Sequence, residues 1–316
     1  MNFIKFYMKN LKKFAVFSLA ILAIQPLFKN HIFPQVNAAQ NQEIAIKFIG
    51  QVGNQPFRCG NNYNLGKPAT TVTPLDFRFY VSDITLIDNN NKAIPLSLTQ
   101  DGKWQYQNVA LIDFENKTGA CANGTEETRD LVVGTLPQGK YKAIKFTLGL
   151  PENLNHEDST LAPSPLNLTS LWWSWQFGYK FARIDFAFSA KTQSTGKHQN
   201  QTNQHKHGEK EQSNSFLIHL GSTGCQAETS SQKPITKCRN PNTSTITLTD
   251  FEPSKNAIIV DLAKLLSNTD LSRNQANTSP GCMSEPNDKD CTGIMATLGI
   301  PFGGKISVQQ TLFSVK

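Results

Sequence analysis

Short runs in which apolar and polar residues alternate recur along most of this chain and restrict its folding more than any other feature. Ile44-Ala-Ile-Lys-Phe-Ile49, Asp76 to Asp88, Val109 to Phe114, Lys140 to Leu148, Ile184 to Ser189, Ser215 to Leu220, Thr245 to Thr249, Asn256 to Asp261 and Ile306 to Phe313 each carry that period. A period of two puts one face of an extended segment on a core and the other toward solvent, so these runs predict strands. Gly, Pro and Asn clusters divide them, and Asn89-Asn-Asn-Lys92 predicts a hairpin between Asp76–Asp88 and Ile94–Leu98. Lys140–Leu148 changes phase once, which a bulge near Ala143 reconciles. A single short helix is expected at Leu262–Leu266, with Asp261 as its N-cap. The pattern predicts an all-β fold, an antiparallel β-sandwich with long loops and little helix, in one domain over residues 39–316.

The first 38 residues read differently. A lysine-rich start precedes the apolar Phe14–Ile24 and then Val36-Asn-Ala-Ala39, the form of a secretory signal cut after Ala38. The apolar run is too short for a comfortable membrane span, and no later segment is long enough, so no membrane span is expected after cleavage. The leader holds five lysines and no acid, and its removal takes the formal net charge from +7 to +2. A chain so close to neutrality offers no electrostatic footprint for nucleic acid.

All six cysteines follow the leader. An even number in an oxidising compartment, periplasmic or extracellular, favours disulfides and a disulfide-stapled domain. Local spacing suggests Cys225–Cys238 and Cys282–Cys291, which leaves Cys59–Cys121. Residues 193–214 form a polar insert with no large apolar side chain, which predicts a disordered segment. Its His198, His205 and His207 form a weak metal-binding tract at most.

Three of the four tryptophans, Trp172, Trp173 and Trp175, fall within four residues. A core strand explains such density by burial, with Trp173 and Trp175 on one face and Trp172 on the other. An aromatic site is the alternative, and two histidines outside the leader and insert flank the cluster: His156 in a proline-rich loop and His219 in a strand. Imidazole suits copper, zinc, iron and nickel, and Met283 adds a soft donor. The chain shows no nucleophile elbow, Walker loop, dinucleotide fingerprint or zinc-protease helix, and no paired carboxylates, so it is read as a non-enzyme.

Four stretches together resemble one family: Trp172-Trp-x-Trp-Gln-x-Gly-Tyr-Lys-Phe181; Leu154-Asn-His156 with the following Ala-Pro-x-Pro-Leu-Asn; His219-Leu-Gly-Ser-Thr-Gly-Cys225; and Gly281-Cys-Met-Ser-x-Pro-x-Asp-x-x-Cys291. These motifs are similar to those of the MbnP-like copper-binding proteins, the four-Cys-motif members of the metallo-mystery-pair systems. The resemblance runs from about Ile44 to Phe313. It implies an exported β-sandwich that binds copper, and a partner, an MbnH-like diheme protein similar to cytochrome c peroxidases, which oxidises a tryptophan to kynurenine. Carried over, it makes Trp172, Trp173 and Trp175 candidates for oxidation and His156 and His219 candidate copper ligands. Six cysteines exceed the family's four. The competing readings are a carbohydrate- or ligand-binding sandwich with an aromatic platform and, more weakly, a metal-dependent oxidase or hydrolase.

Overall fold

Alternation becomes two packed sheets in the computed structural model, which describes residues 40–188, 214–306 and 308–316. The leader, most of the polar insert and its three histidines, and Ser307 lie outside the described residues. Residues 39–316 form one compact unit. The principal elements in chain order are strands β1 (Asn41–Val52), β2 (Thr70–Asp88), β3 (Val109–Asp113), β4 (Leu131–Pro137) and β5 (Tyr141–Leu148), helix α1 (Glu152–Asn155), strands β6 (Ala182–Phe188), β7 (Ser215–Leu220), β8 (Ser244–Thr249) and β9 (Ala257–Asp261), helix α2 (Leu262–Leu265), and strand β10 (Phe313–Val315).

The first sheet runs β10-β9-β1-β4, and the second runs β8-β5-β2-β6-β7 with β3 on the other side of β2. Pairing is antiparallel except for β1 with β9 and β7 with Gly281–Cys282. Phe48 and Phe313 of the first sheet meet Phe79 and Phe146 of the second edge to face, with centroids 5.2–6.1 Å apart. Such aromatic pairs add about 0.5–1.5 kcal/mol each beyond the area they bury, and here they fix how the sheets seat.

The β5 register shifts between Tyr141 and Ala143, the bulge that its phase change requires. Asp261 caps α2 by accepting from the Ala263 N–H at 2.9 Å. Disulfides join Cys59 to Cys121, Cys225 to Cys238 and Cys282 to Cys291.

Two expectations need correction, and one strand had no counterpart among them. The hairpin partner of β2 is only Ala93–Pro95, because the chain then crosses and Ser97–Leu98 pairs with β4 in the other sheet. The closing strand is Phe313–Val315, while Ile306 and Val308 are exposed. And no local pattern predicts β4: its inward position Gly134 interrupts the apolar period, and the crossing segment is the reason. A Cβ at Gly134 would stand 2.6 Å from the Ser97 carbonyl.

The far face of the second sheet positions the site. Asp76, Arg78 and Tyr80 project there, opposite the core side chains Phe77 and Phe79. The proline-rich loop and the tryptophan segment cover them: Tyr80 Oη donates to the Pro165 carbonyl at 3.0 Å, and Tyr179 Oη to the Leu166 carbonyl at 2.6 Å. This cover is what lets charged strand residues be wholly buried.

Candidate metal centre

The tryptophans form neither a core strand nor a flat platform. Trp172–Ser174 pairs with Gly178–Tyr179 in a two-stranded ribbon laid over the second sheet. All three indoles are half-buried. The turn after Ser174 breaks the alternation, so Trp175 returns to Trp172, with ring centroids 6.0 Å apart, and does not share a face with Trp173. The buried Trp172 Nε1 has no hydrogen-bond partner among the described residues. Trp173 lies on the opposite side, 6.4 Å from the His219 ring, with its six-membered ring close to Gly221. Only glycine permits that approach, since a Cβ there would stand 2.4 Å from Trp173 Cζ3.

His219 is buried on β7, and its Nε2 lies 3.0 Å from Asp185 Oδ1. A carboxylate can only accept, so Nε2 carries the proton and a neutral ring keeps its lone pair at Nδ1. Among the described residues Nδ1 has no hydrogen-bond partner. The carboxylate is itself held in a row of charge: Arg183 Nε donates to Asp185 Oδ2 at 2.7 Å and faces Asp76 Oδ2 at 3.2 Å, and Arg78 clasps Asp76 with two donors. Burial pushes the Asp185 carboxyl up, but the His219 hydrogen bond and Arg183 beside it hold it below the ordinary carboxylate value. Asp185 is therefore ionised, which fixes the His219 tautomer. Lys180, buried above this row, donates to the Ser170 carbonyl at 3.0 Å, and burial with Arg183 nearby lowers its ammonium to about 8.

Met283 follows by register. Gly281–Cys282 pairs in parallel with Leu217–Ile218, and half-buried Met283 is the next residue after that ladder as His219 is on β7. The turn is held by Ser284, whose Oγ donates to the His219 carbonyl at 3.0 Å and accepts from the Gly221 N–H at 3.1 Å.

His156 caps the end of α1 and has separate partners. Its Nδ1 donates to the Trp175 carbonyl at 3.1 Å, and its Nε2 accepts from Asn155 Nδ2 at 3.1 Å. Burial lowers its pKa, against the pull of the Trp175 carbonyl. Asn155 also ties the ribbon to the sheet through Ser222 Oγ at 3.2 Å and the Tyr179 N–H at 3.0 Å. No group of three close metal-donor side chains among the described residues contains both histidines.

An imidazole anchored by a carboxylate beside Trp173, with the thioether of Met283 following the strand paired to β7, suits a soft or borderline metal. These donors do not suit calcium or magnesium, which need several oxygens. The residues that build this arrangement were not singled out in the sequence, although Asp76-x-Arg78 and Arg183-x-Asp185 carry the signal: opposite charges two apart, on one face of strands that are otherwise apolar.

A disulfide-stapled β-sandwich with an aromatic ribbon over a carboxylate-anchored histidine defines a class of structure before any name is attached. The chain belongs to the MbnP family, whose sequence model matches residues 41–284. Among solved structures it is similar to MbnP from Methylosinus trichosporium, at 26% identity and a TM-score of 0.70 over 87% of this chain and 98% of that one. A search of curated proteins gives no match.

Proposed function

We propose that this chain is an exported, periplasmic or secreted copper-binding protein, a substrate of its redox partner and not itself an enzyme. Copper is held on His219 Nδ1, with Met283 as a soft donor and Trp173 as the wall. The observation that carries the reading is the His219–Asp185 hydrogen bond: it fixes the proton on Nε2 and leaves the lone pair on Nδ1, in a ring 6.4 Å from that of Trp173, the arrangement that orients metal-ligating histidines. Family membership supports copper as the metal, and three disulfides support export. Among the described residues no helix is long and apolar enough to cross a membrane.

The same geometry bears on maturation. An indole nitrogen is a donor without a lone pair to offer. If a diheme peroxidase-like partner uses two molecules of hydrogen peroxide, each giving one oxygen atom to the indole C2–C3 bond and leaving as water, that bond breaks and the ring opens to an N-formyl ketone. Water then removes the formyl group as formate. The resulting kynurenine carries an aniline nitrogen and a ketone oxygen, both able to ligate or accept. Of Trp172, Trp173 and Trp175, we favour Trp173, whose ring lies against His219. We leave His156 outside this site because its ring lies against the Trp175 carbonyl, Asn155 and Cys238, and no cluster of donors among the described residues contains both it and His219.

The alternatives fit less well. A sugar platform needs several indole faces displayed together, whereas Trp172 and Trp175 meet edge to face and Trp173 packs close to Gly221 and His219. A hydrolase needs a nucleophile for the His–Asp pair to activate, and none hydrogen-bonds His219 Nδ1 among the described residues. Copper titration of protein produced with and without the heme partner, with mass analysis of the ribbon peptide, tests the proposal. Tight binding should appear only with the oxidised residue, and His219→Ala or Trp173→Phe should abolish it. Equal affinity in unoxidised protein would sink the maturation step, and full affinity in His219→Ala would sink the site.

A further inference from the structure

We propose that reducing the Cys225–Cys238 disulfide opens a second metal site, separate from His219, in which Cys225, Cys238 and His156 bind one Cu(I) ion. His156 Nε2 and the two sulfurs all lie within 4.8 Å of one another, and Cys238 Sγ is 3.5 Å from the imidazole nitrogen. The imidazole is already prepared as a ligand: Nδ1 is fixed on the Trp175 carbonyl, so Nε2 holds the lone pair and points at the sulfurs. Asn155, which now donates to Nε2, has Ser222 Oγ as its other acceptor and can release the ring.

One reachable sulfur and a neighbouring imidazole together distinguish this disulfide; Cys59–Cys121 also has one half-buried sulfur but no histidine beside it. The loop it closes is strapped to the α1 region by Lys233 to Glu157 at 2.8 Å and Lys237 to Glu152 at 3.2 Å. Between loop and helix opens a cavity of about 460 Å³ lined by His156, Pro234 and Thr236 among others. Cys238 is half-buried and Cys225 buried, so an incoming thiolate has one sulfur to attack. Cys282–Cys291 is sealed in the core. Cys59–Cys121 neighbours the Glu115 carboxylate, a hard donor poorly matched to a soft ion.

The chemistry balances with a dithiol as reductant. One thiolate of the dithiol attacks Cys238 Sγ, the S–S bond breaks, and Cys225 leaves as a thiolate and takes up a proton. The second thiol of the reductant resolves the mixed disulfide and leaves oxidised, so two electrons and two protons pass to the cysteines. Binding Cu(I) then displaces both thiol protons. Two thiolates and one imidazole satisfy a three-coordinate Cu(I) ion, whereas zinc needs a fourth ligand.

The test uses full-length mature protein treated with a small dithiol under native conditions, freed of reductant, and titrated anaerobically with Cu(I). Peptide mapping after alkylation should find the new thiols at Cys225 and Cys238. The reduced protein should bind one equivalent more than the disulfide form, with near-ultraviolet thiolate-to-copper absorption. Alkylation of the reduced wild type should abolish that equivalent, as should the Cys225→Ser/Cys238→Ser variant. Loss of a second-layer partner alone costs a metal site about 10–100-fold, so His156→Gln should weaken the extra site at least about tenfold. The equivalent should persist in His219→Ala, which separates it from the proposed primary site. Thiols appearing only elsewhere, no added Cu(I), or added zinc without Cu(I) would each overturn the proposal.

Discussion

Replacing Asp185 by Asn changes one atom in a buried row of charge, and the structure dictates how the change propagates. Arg183 Nε is a donor and must keep an acceptor, so the oxygen of the new amide should turn to Arg183, which lies 2.7 Å from the native carboxylate. The amide NH2 then faces His219 where Asp185 Oδ1 stood, 3.0 Å from Nε2. Two donors cannot share that contact, so the imidazole proton moves to Nδ1 and the lone pair that would meet copper disappears. Breaking a buried pair costs about 3–5 kcal/mol. Arg183 retains Asp76 at 3.2 Å, so the low end, about 3 kcal/mol, is expected. At about 2–4 °C per kcal/mol for a domain of this size class, the melting temperature should drop by roughly 6–12 °C. Copper affinity should fall about 10–100-fold, the usual cost of losing a second-layer carboxylate. The acid limb of the stability curve is a second readout. The folded value of Asp185 lies below its unfolded value near 3.8. Its contribution is therefore present above the unfolded value and lost as pH falls through the folded one, and the variant should lack that component. Thermal melts with and without Cu(I), and nitrogen chemical shifts of the His219 ring, make the measurement. A variant whose copper affinity and His219 tautomer both match wild type would refute the reasoning.

Two further substitutions probe the surroundings. Gly221→Ala places a methyl 2.4 Å from Trp173 Cζ3 and 2.8 Å from the Tyr179 carbonyl, so the ribbon must lift. Overpacking of this kind costs about 1–3 kcal/mol; Trp173 fluorescence should shift toward an exposed indole and copper binding should weaken, and an unchanged spectrum would count against the close approach. Asp113 is held up to about 8, first by burial, with Arg78 opposing, so between its unfolded value near 3.8 and about 8 the folded chain keeps a proton that the unfolded chain has released. Its share of the stability is thus greatest at the acid end and falls as pH rises through that window, at up to about 1.4 kcal/mol per pH unit. Asp113→Asn mimics the protonated form and should match wild type only at or below the unfolded value of 3.8, then gain on it as pH rises to about 8, as urea unfolding across that range would show.

Strands whose apolar faces are built by their own residues were legible. Ser215–Leu220 and the capped turn at Asp261 needed only local chemistry. The strand Leu131–Pro137 was not, because Gly134 answers to Ser97, which lies far away in sequence. Parallel pairing of Asn41–Val52 with Ala257–Asp261 is likewise absent from any local pattern. At the site, His219 and the tryptophans stood out by type, whereas Asp185 and Arg183 looked like ordinary polar positions until three strands brought Arg78, Asp76, Arg183, Asp185 and His219 into one row. The division of Trp172 and Trp175 from Trp173 depended on where the ribbon turns, and the separation of His156 from His219 depended on which hydrogen bonds each ring makes.

The crossing at Leu96 has a consequence for the molecule's behaviour in crowded solution. An unpaired strand margin invites a neighbouring molecule to add a strand of its own. Here Ala93–Pro95 occupies the margin of one layer and Ser97–Leu98, two residues on, occupies that of the other. A single seam therefore stitches both layers along one side. Both margins are two or three residues long and one ends in Pro95, so that flank offers only a short, interrupted template for intermolecular growth.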